Sequence, residues 1–101
     1  MDVELTKSAK KSIAKIYKEY LRRVKSGESK AQAAFFDNGN EEQAELISYI
    51  SDDSRELRSA GLIKETITGC IELQNSAIVY MENLTQDTIN EWLSFVANFL
   101  P

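Results

Sequence analysis

The stretch that decides the fold is Asp53-Ser54-Arg55-Glu56-Leu57-Arg58-Ser59-Ala60-Gly61-Leu62-Ile63, followed at once by Lys64 to Leu73. Its first half predicts a short helix, because Asp53 and Glu56 have the three-residue spacing of a capping box. Gly61 stands where a helix ends in a left-handed cap. The apolar residues of Leu62-Ile63 and Ile71-Glu72-Leu73 then predict two short strands joined by a turn.

The order of helix, terminal glycine and hairpin is that of the second half of a winged helix-turn-helix. The sequence therefore predicts one helix-rich α+β domain over residues 1–101. It has a short β-hairpin and an added C-terminal helix at about 86–100. A chain of 101 residues is long enough for one core.

The composition is that of a soluble globular protein, with 43% hydrophobic and 28% charged residues. No stretch approaches the roughly 18 consecutive apolar residues of a membrane span. The first residues, Met1-Asp2-Val3-Glu4-Leu5, lack the basic and then apolar layout of a signal peptide. We therefore expect a cytoplasmic protein that does not bind membranes.

Residues suited to catalysis or metal binding are scarce. The chain has no histidine and one cysteine, Cys70, so the usual zinc sets and histidine-based acid–base chemistry are absent. No base that would activate Cys70 is evident nearby, and a small half-buried strand residue is the simpler interpretation. We expect no enzyme activity, no catalytic residue, no cofactor and no metal site.

Charge is distributed unevenly along the chain. Residues 1–30 hold nine Lys/Arg and four Asp/Glu residues, whereas residues 31–101 hold three and twelve. The basic residues belong mainly to a long amphipathic helix predicted from about Leu5 to Lys25 and ended by Ser26-Gly27. Its basic face is either a solvated outer surface or a surface for an anionic partner.

Four further helix starts follow from capping residues. Ser29 is predicted to open a short helix that runs through Phe36, and Asn40 to open a helix from Glu41 to about Ile50. The last two starts are Asn75-Ser76 and Thr85.

Several segments resemble known proteins. The quoted stretch, with Ile67-Thr68-Gly69 and Ala77-Ile78-Val79-Tyr80-Met81-Glu82-Asn83, resembles the ending of many small winged-helix proteins. Tyr17-Lys18-Glu19-Tyr20-Leu21 and Ser26-Gly27-Glu28-Ser29-Lys30-Ala31-Gln32-Ala33 are similar to a family of uncharacterised small winged-helix-like proteins of Gram-positive bacteria and their mobile elements. The resemblance covers about 13–100. It implies a winged-helix domain with a trailing helix; many such domains bind DNA and dimerise, and some bind only proteins.

In a DNA-binding version, the helix at 53–60 would enter the major groove of double-stranded DNA. The predicted contacts of this version are Ser54, Arg55, Arg58 and Lys64. Lys30 is predicted to contact DNA in an alternative version, in which it and the basic first helix form a non-specific nucleic-acid surface. The acidic residues Asp52, Asp53 and Glu56 share this helix, however, and the turn that follows Glu65 carries no basic residue.

The sequence therefore favours a small DNA-binding transcription regulator. The alternative is a winged-helix protein–protein interaction module that does not bind nucleic acid. We also expect a homodimer formed through the C-terminal helix, with Trp92, Phe95 and Phe99 at the interface, because Phe95 lies off the apolar stripe of that helix.

Overall fold

A computed structural model describes residues 4–94 as an α+β fold of six α-helices and a three-stranded antiparallel sheet within that range. In chain order the elements are α1 (Lys7–Lys25), α2 (Lys30–Ala33), β1 (Phe35–Phe36), α3 (Glu41–Tyr49), a 3-10 turn (Ser51–Asp53), α4 (Ser54–Ser59), β2 (Ile63–Glu65), β3 (Ile71–Leu73), α5 (Asn75–Glu82) and α6 (Gln86–Leu93). The sheet order is β1-β3-β2, so β1 and β2 are its two edges.

The long amphipathic helix predicted from the first residues is confirmed as α1. Thr6 caps its start, accepting a hydrogen bond from the Ala9 amide (3.2 Å). The chain turns after the helix at Gly27, which has a φ of 110°, a value that glycine adopts at little energetic cost. Most of the apolar face of α1 is buried and supplies much of the core; its largest buried side chains are Ile13, Ile16, Tyr17 and Tyr20.

The segment after α1 differs from the prediction. Ser29 caps α2 as expected, accepting from the Gln32 amide. The predicted continuation of this helix through Phe36 is wrong, because Phe35 and Phe36 form strand β1. Phe35 pairs with Glu72 and Phe36 with Ile71, and this register buries Phe36 while it leaves Phe35 exposed.

A buried arginine holds α2 and β1 against α1. Arg23 is 2% exposed, and its guanidinium donates to the carbonyl oxygens of Ala33 (3.3 Å) and Phe35 (2.7 Å). It also donates to Glu19 (3.2 Å) and stacks on the Phe36 ring at 4.4 Å. The arginine thereby satisfies two backbone carbonyls where the chain passes from α2 into β1.

In the stretch 53–73, the helix end around Gly61 and the hairpin that follows it fold as predicted. The Gly61 amide donates to the Arg58 carbonyl and the Leu62 amide to the Leu57 carbonyl, which is the bonding of a Schellman cap. Gly61 has the positive φ (76°) that this cap requires, and Leu57 and Leu62 are both buried. The hairpin β2–β3 is confirmed, with Ile63 opposite Leu73.

The remaining helices are confirmed with one correction to their starts. Asn40 caps α3 and Thr85 caps α6 through side-chain bonds to backbone amides. The predicted cap at Asn75-Ser76 is wrong: the residue before α5 is Gln74, which makes no such side-chain bond. The Ser76 hydroxyl instead donates to the Gly61 carbonyl (2.5 Å), which ties α5 to the end of α4.

Candidate nucleic-acid interface

The side chains predicted to contact DNA lie mainly on α4 and β2, which pack against each other. Arg55, Arg58 and Lys64 are exposed, and Ser54 is half-buried at the first position of α4. The Ser54 hydroxyl donates to the Ser51 carbonyl (2.9 Å), which makes it part of the helix start. Three basic side chains of this helix–strand pair are therefore exposed to solvent.

The acidic residues of the deciding stretch do not form the predicted capping box. Asp53 makes no side-chain bond to the start of α4. It is instead 8% exposed and accepts hydrogen bonds from the hydroxyls of Ser8 (2.9 Å) and Ser12 (2.6 Å) on α1. The carboxylate is thus directed away from solvent, into the contact between α4 and α1.

Glu56 acts on α1 in a similar way. Its carboxylate accepts from the backbone amide of Thr6 (2.7 Å) and from the Thr6 hydroxyl (2.8 Å). Thr6 is the N-cap of α1, where free amides and the helix dipole favour a negative charge. Two of the three carboxylates that weighed against DNA binding therefore accept hydrogen bonds from the first turns of α1 or from its cap; Asp53 is buried, Glu56 is partly buried and Asp52 is exposed.

The basic residues on the outer side have acidic neighbours of their own. Arg58 Nε lies 3.3 Å from Glu65 Oε1, in a pair whose side chains are 47% and 35% exposed. Lys64 stands directly opposite Glu72 in the β2–β3 register, and both are exposed. Such solvated pairs contribute little energy, so a phosphate can compete for either cation.

Arg55 differs from its two basic neighbours. It is exposed, and none of the ion pairs found within residues 4–94 includes it. It lies three residues before Arg58, a spacing that brings side chains to the same side of a helix. Among these three cations, Arg55 is therefore the most available to bind an anionic partner.

Lys30 lies apart from this group. It is exposed at the first position of α2, which packs on α1 and β1. Because β1 and β2 are opposite edges of the sheet, β3 separates the Lys30 side from the Lys64 side. The structure thus places Ser54, Arg55 and Arg58 on one short helix and Lys64 on the neighbouring strand, with Lys30 apart from them.

The basic face of α1 borders a cleft with acidic residues. Lys15, Lys18 and Arg22 line one side of this open cleft, and Glu42 and Glu45 of α3 line the other. The hydrogen-bonded carboxylate of Glu19 raises the pKa of the Arg22 guanidinium, and Glu42 adds to the same effect. Acidic side chains of α3 therefore lie across this cleft from part of the basic face of α1.

Of the three residues predicted to form a dimer interface, Trp92 lies within the described range. Trp92 is 6% exposed and packs within the chain, with its ring 6.1 Å from that of Tyr80 and the Lys10 ammonium 5.5 Å from its centroid. Phe95 and Phe99 lie outside the described residues, as does the end of the predicted C-terminal helix. The homodimer stays a prediction.

Cys70, the other reactive side chain noted in the sequence, is more buried than expected at 7% exposed. Its sulfur accepts from the Asn38 amide (3.4 Å) and lies 3.7 Å from Asp37 Oδ1. Residues 4–94 contain no cluster of three or more metal-binding side chains. Across the same range, no helix combines the length and the apolar character that crossing a membrane requires.

Comparison with models of protein families, with curated proteins and with solved structures finds no match to this chain. The functional argument therefore rests on the chain's own side chains. Two features that bear on this site were missed from the sequence, namely the hydrogen bonds of Asp53 and Glu56 to the start of α1 and the burial of Arg23. The second had a signal, because position 23 follows Ile16 and Tyr20 on the apolar face of α1 at helical spacing.

Proposed function

We propose that this chain is a small winged-helix regulatory protein that binds double-stranded DNA through α4 and β2. The order α1, β1, α3, α4, β2, β3 with sheet order β1-β3-β2 fits a winged helix-turn-helix. In that arrangement α4 is the helix that enters the major groove, and the β2–β3 hairpin lies beside it.

One observation supports this proposal above all. The carboxylates of Asp53 and Glu56 are bonded to α1, whereas Arg55 and Arg58 face solvent. The stretch 52–60 is acidic by composition, but Asp53 and Glu56 are bonded elsewhere, so a pair of arginines is left exposed on α4. Arginine suits this position, since its guanidinium binds phosphate or the guanine edge in a bidentate manner.

The test is a titration of a labelled mixed-sequence duplex, followed by fluorescence anisotropy at several salt concentrations. At ~50 mM salt the parent should bind, and the affinity should fall steeply as salt rises. Arg55→Ala and Arg58→Ala should each weaken binding and lower the slope of log K against log salt by about 0.9.

Lys25→Ala is the matched control for loss of one positive charge. Lys25 is exposed at the far end of α1, about 25 Å from Ser8 at the end that contacts α4. The control should leave the slope nearly unchanged. Absence of binding by the parent at ~50 mM salt, or an equal effect of all three substitutions, would refute groove binding by α4.

A protein–protein interaction module is the second candidate, favoured by the charge balance of the same surface. Glu65 lies against Arg58, and Glu72 is opposite Lys64, so two of the three exposed cations of α4 and β2 have an acidic neighbour. Such a surface suits a protein partner with both charges. The substitution Glu65→Gln separates the two candidates. If the protein binds DNA, removing this acidic group should strengthen the binding; if it is only a protein–protein interaction module, the variant should still not bind DNA.

A further inference from the structure

Asn38 and Gly39 form an exposed Asn-Gly pair in the loop between β1 and α3. No other asparagine of the sequence is followed by glycine. Asparagine is chemically labile because the backbone nitrogen of the next residue can attack its side-chain carbonyl carbon. Glycine has no side chain to shield that nitrogen, and it leaves the backbone free to bring the two atoms together. The loop therefore combines the sequence and the exposure that favour spontaneous deamidation.

The side chain of Asn38 joins this loop to the turn between β2 and β3. Its amide nitrogen donates to the Thr68 carbonyl oxygen (3.3 Å), and its backbone amide donates to Cys70 Sγ (3.4 Å). A Cβ added at Gly69 would lie 3.2 Å from the Asn38 side-chain nitrogen, so glycine at position 69 leaves room for the contact. A change in the chemistry of Asn38 would therefore be felt in the hairpin.

The nitrogen that would attack Asn38 is itself held by a hydrogen bond. The Gly39 amide donates to Asp37 Oδ1 (2.9 Å). This bond has to break before the Gly39 nitrogen can lose its proton, and the bond to Thr68 has to break before the Asn38 side chain can turn. Both bonds lie at exposed residues and are therefore modest, so together they should slow the reaction about tenfold relative to the unfolded chain.

We propose that Asn38 is a site of spontaneous deamidation and that the reaction releases the loop before α3 from the β2–β3 turn. The Gly39 nitrogen forms a bond to Cγ of Asn38. The side-chain nitrogen leaves as ammonia, and the proton lost from the Gly39 amide balances it. Water then opens the resulting succinimide ring at either of its carbonyls, which yields aspartate or isoaspartate. The reaction needs no other reactant and does not depend on the proposed DNA binding.

Either product removes the link between the loop and the turn. A carboxylate at position 38 has no proton to donate, and its negative oxygen would face the Thr68 carbonyl oxygen. Isoaspartate also lengthens the main chain between positions 38 and 39. The Cys70 amide, which donates to the Thr66 hydroxyl (3.0 Å) within the turn, should therefore exchange faster with deuterium in the modified protein.

The experiment incubates the full chain at mildly alkaline pH, folded and in guanidinium chloride, and follows each asparagine by peptide mass spectrometry. An isoaspartate-specific methyltransferase labels one of the two products. Asn38 should convert in the folded chain about tenfold more slowly than in denaturant. Asn75, which is exposed and followed by serine, is the internal control. It begins α5, where helical backbone angles hold the next nitrogen away from the side-chain carbon, so it should stay intact in the folded chain.

Two variants test the chemistry of the loop. Gly39→Ala shields the attacking nitrogen and should slow conversion in both the folded and the unfolded chain; its Cβ would lie 3.3 Å from Oδ1 of the exposed Asp37, which can move aside. Asp37→Ala removes the acceptor of the Gly39 amide and should speed conversion about threefold to tenfold in the folded chain. In denaturant the hydrogen bond is absent, so there Asp37→Ala should convert as the parent does.

Three outcomes would overturn the proposal. The first is an Asn38 that stays intact in the folded chain over an incubation about ten times as long as the one that converts it in denaturant. The second is equal conversion of Asn75 and Asn38 in the folded chain, because the loop would then not select the site. The third is unchanged exchange of the Cys70 amide after conversion, which would refute release of the loop.

Discussion

Replacement of Arg23 by methionine removes the charged group that joins α1 to α2 and β1. Methionine keeps an unbranched stem of similar length, so packing against Phe36 is largely retained. The substitution removes the donors to the carbonyls of Ala33 and Phe35 and the bond to Glu19. It also leaves those acceptors in a place from which water is mostly excluded, since Arg23 is 2% exposed.

The expected loss is large for a protein of this size. Hydrogen bonds to a charged group contribute about 1.5–3 kcal/mol each, and removing one partner of a buried ionic cluster costs about 3–5 kcal/mol. We therefore expect Arg23→Met to lower the free energy of unfolding by about 3–5 kcal/mol. That is a large part of the roughly 5–15 kcal/mol that holds a typical domain folded.

Urea denaturation followed by far-UV circular dichroism measures this loss, and with a typical slope the midpoint should fall by about 2–3 M. Arg22→Met is the matched control, because Arg22 also pairs with Glu19 (2.7 Å) but its side chain is 65% exposed. Its effect on the midpoint should be far smaller. Equal midpoints for the two variants would show that burial of the guanidinium is not what makes Arg23 important.

Three further outcomes follow from features of the core and the helix ends. Asp53→Ala removes the acceptor of the buried Ser12 hydroxyl and should cost about 1–3 kcal/mol in urea denaturation; a loss below about 0.5 kcal/mol would contradict the inward role of this carboxylate. Gly61→Ala meets no atom within 4 Å but needs a positive φ, so it should cost about 1–2 kcal/mol, and an unchanged midpoint would show that the cap relaxes to another conformation. Burial and the nearby charge of Glu82 raise the pKa of Tyr17 above its ordinary 10.0, so the stability that this neutral phenol contributes is present below pH 10 and is lost as pH rises through the folded-state pKa. Tyr17→Phe should therefore flatten the decline of the free energy of unfolding above about pH 10, and an identical alkaline decline in both proteins would refute this assignment.

Local signals in the sequence were sufficient for most of the fold. Gly61 and the apolar pairs after it predicted the helix end and the hairpin, because a Schellman cap and a short hairpin depend on residues within a few positions of each other. The same holds for Ser29, Asn40 and Thr85, because each side chain caps its helix by accepting a hydrogen bond from the amide three residues later.

The features that the sequence did not predict depend on distant partners. Phe35 and Phe36 are a short apolar pair that suits a helix or a strand, and β3, more than 30 residues later, decides between them. Asp53 and Glu56 have capping-box spacing, but hydroxyls and an amide near the start of α1 compete for their carboxylates. That competition also changed the candidate site, since it decides which charges of α4 face outward.

The hydrogen bonds that Thr6 donates to Glu56 link two residues that are 50 positions apart in the chain. The first turn of α1 thus depends on an acceptor that is present only while α4 is docked. Amide protons near Ala9 and Lys10 should exchange with deuterium through the opening that detaches α4, so both segments should report one opening free energy. A partner that binds α4 would then slow amide exchange at the beginning of α1, although it makes no contact with that helix.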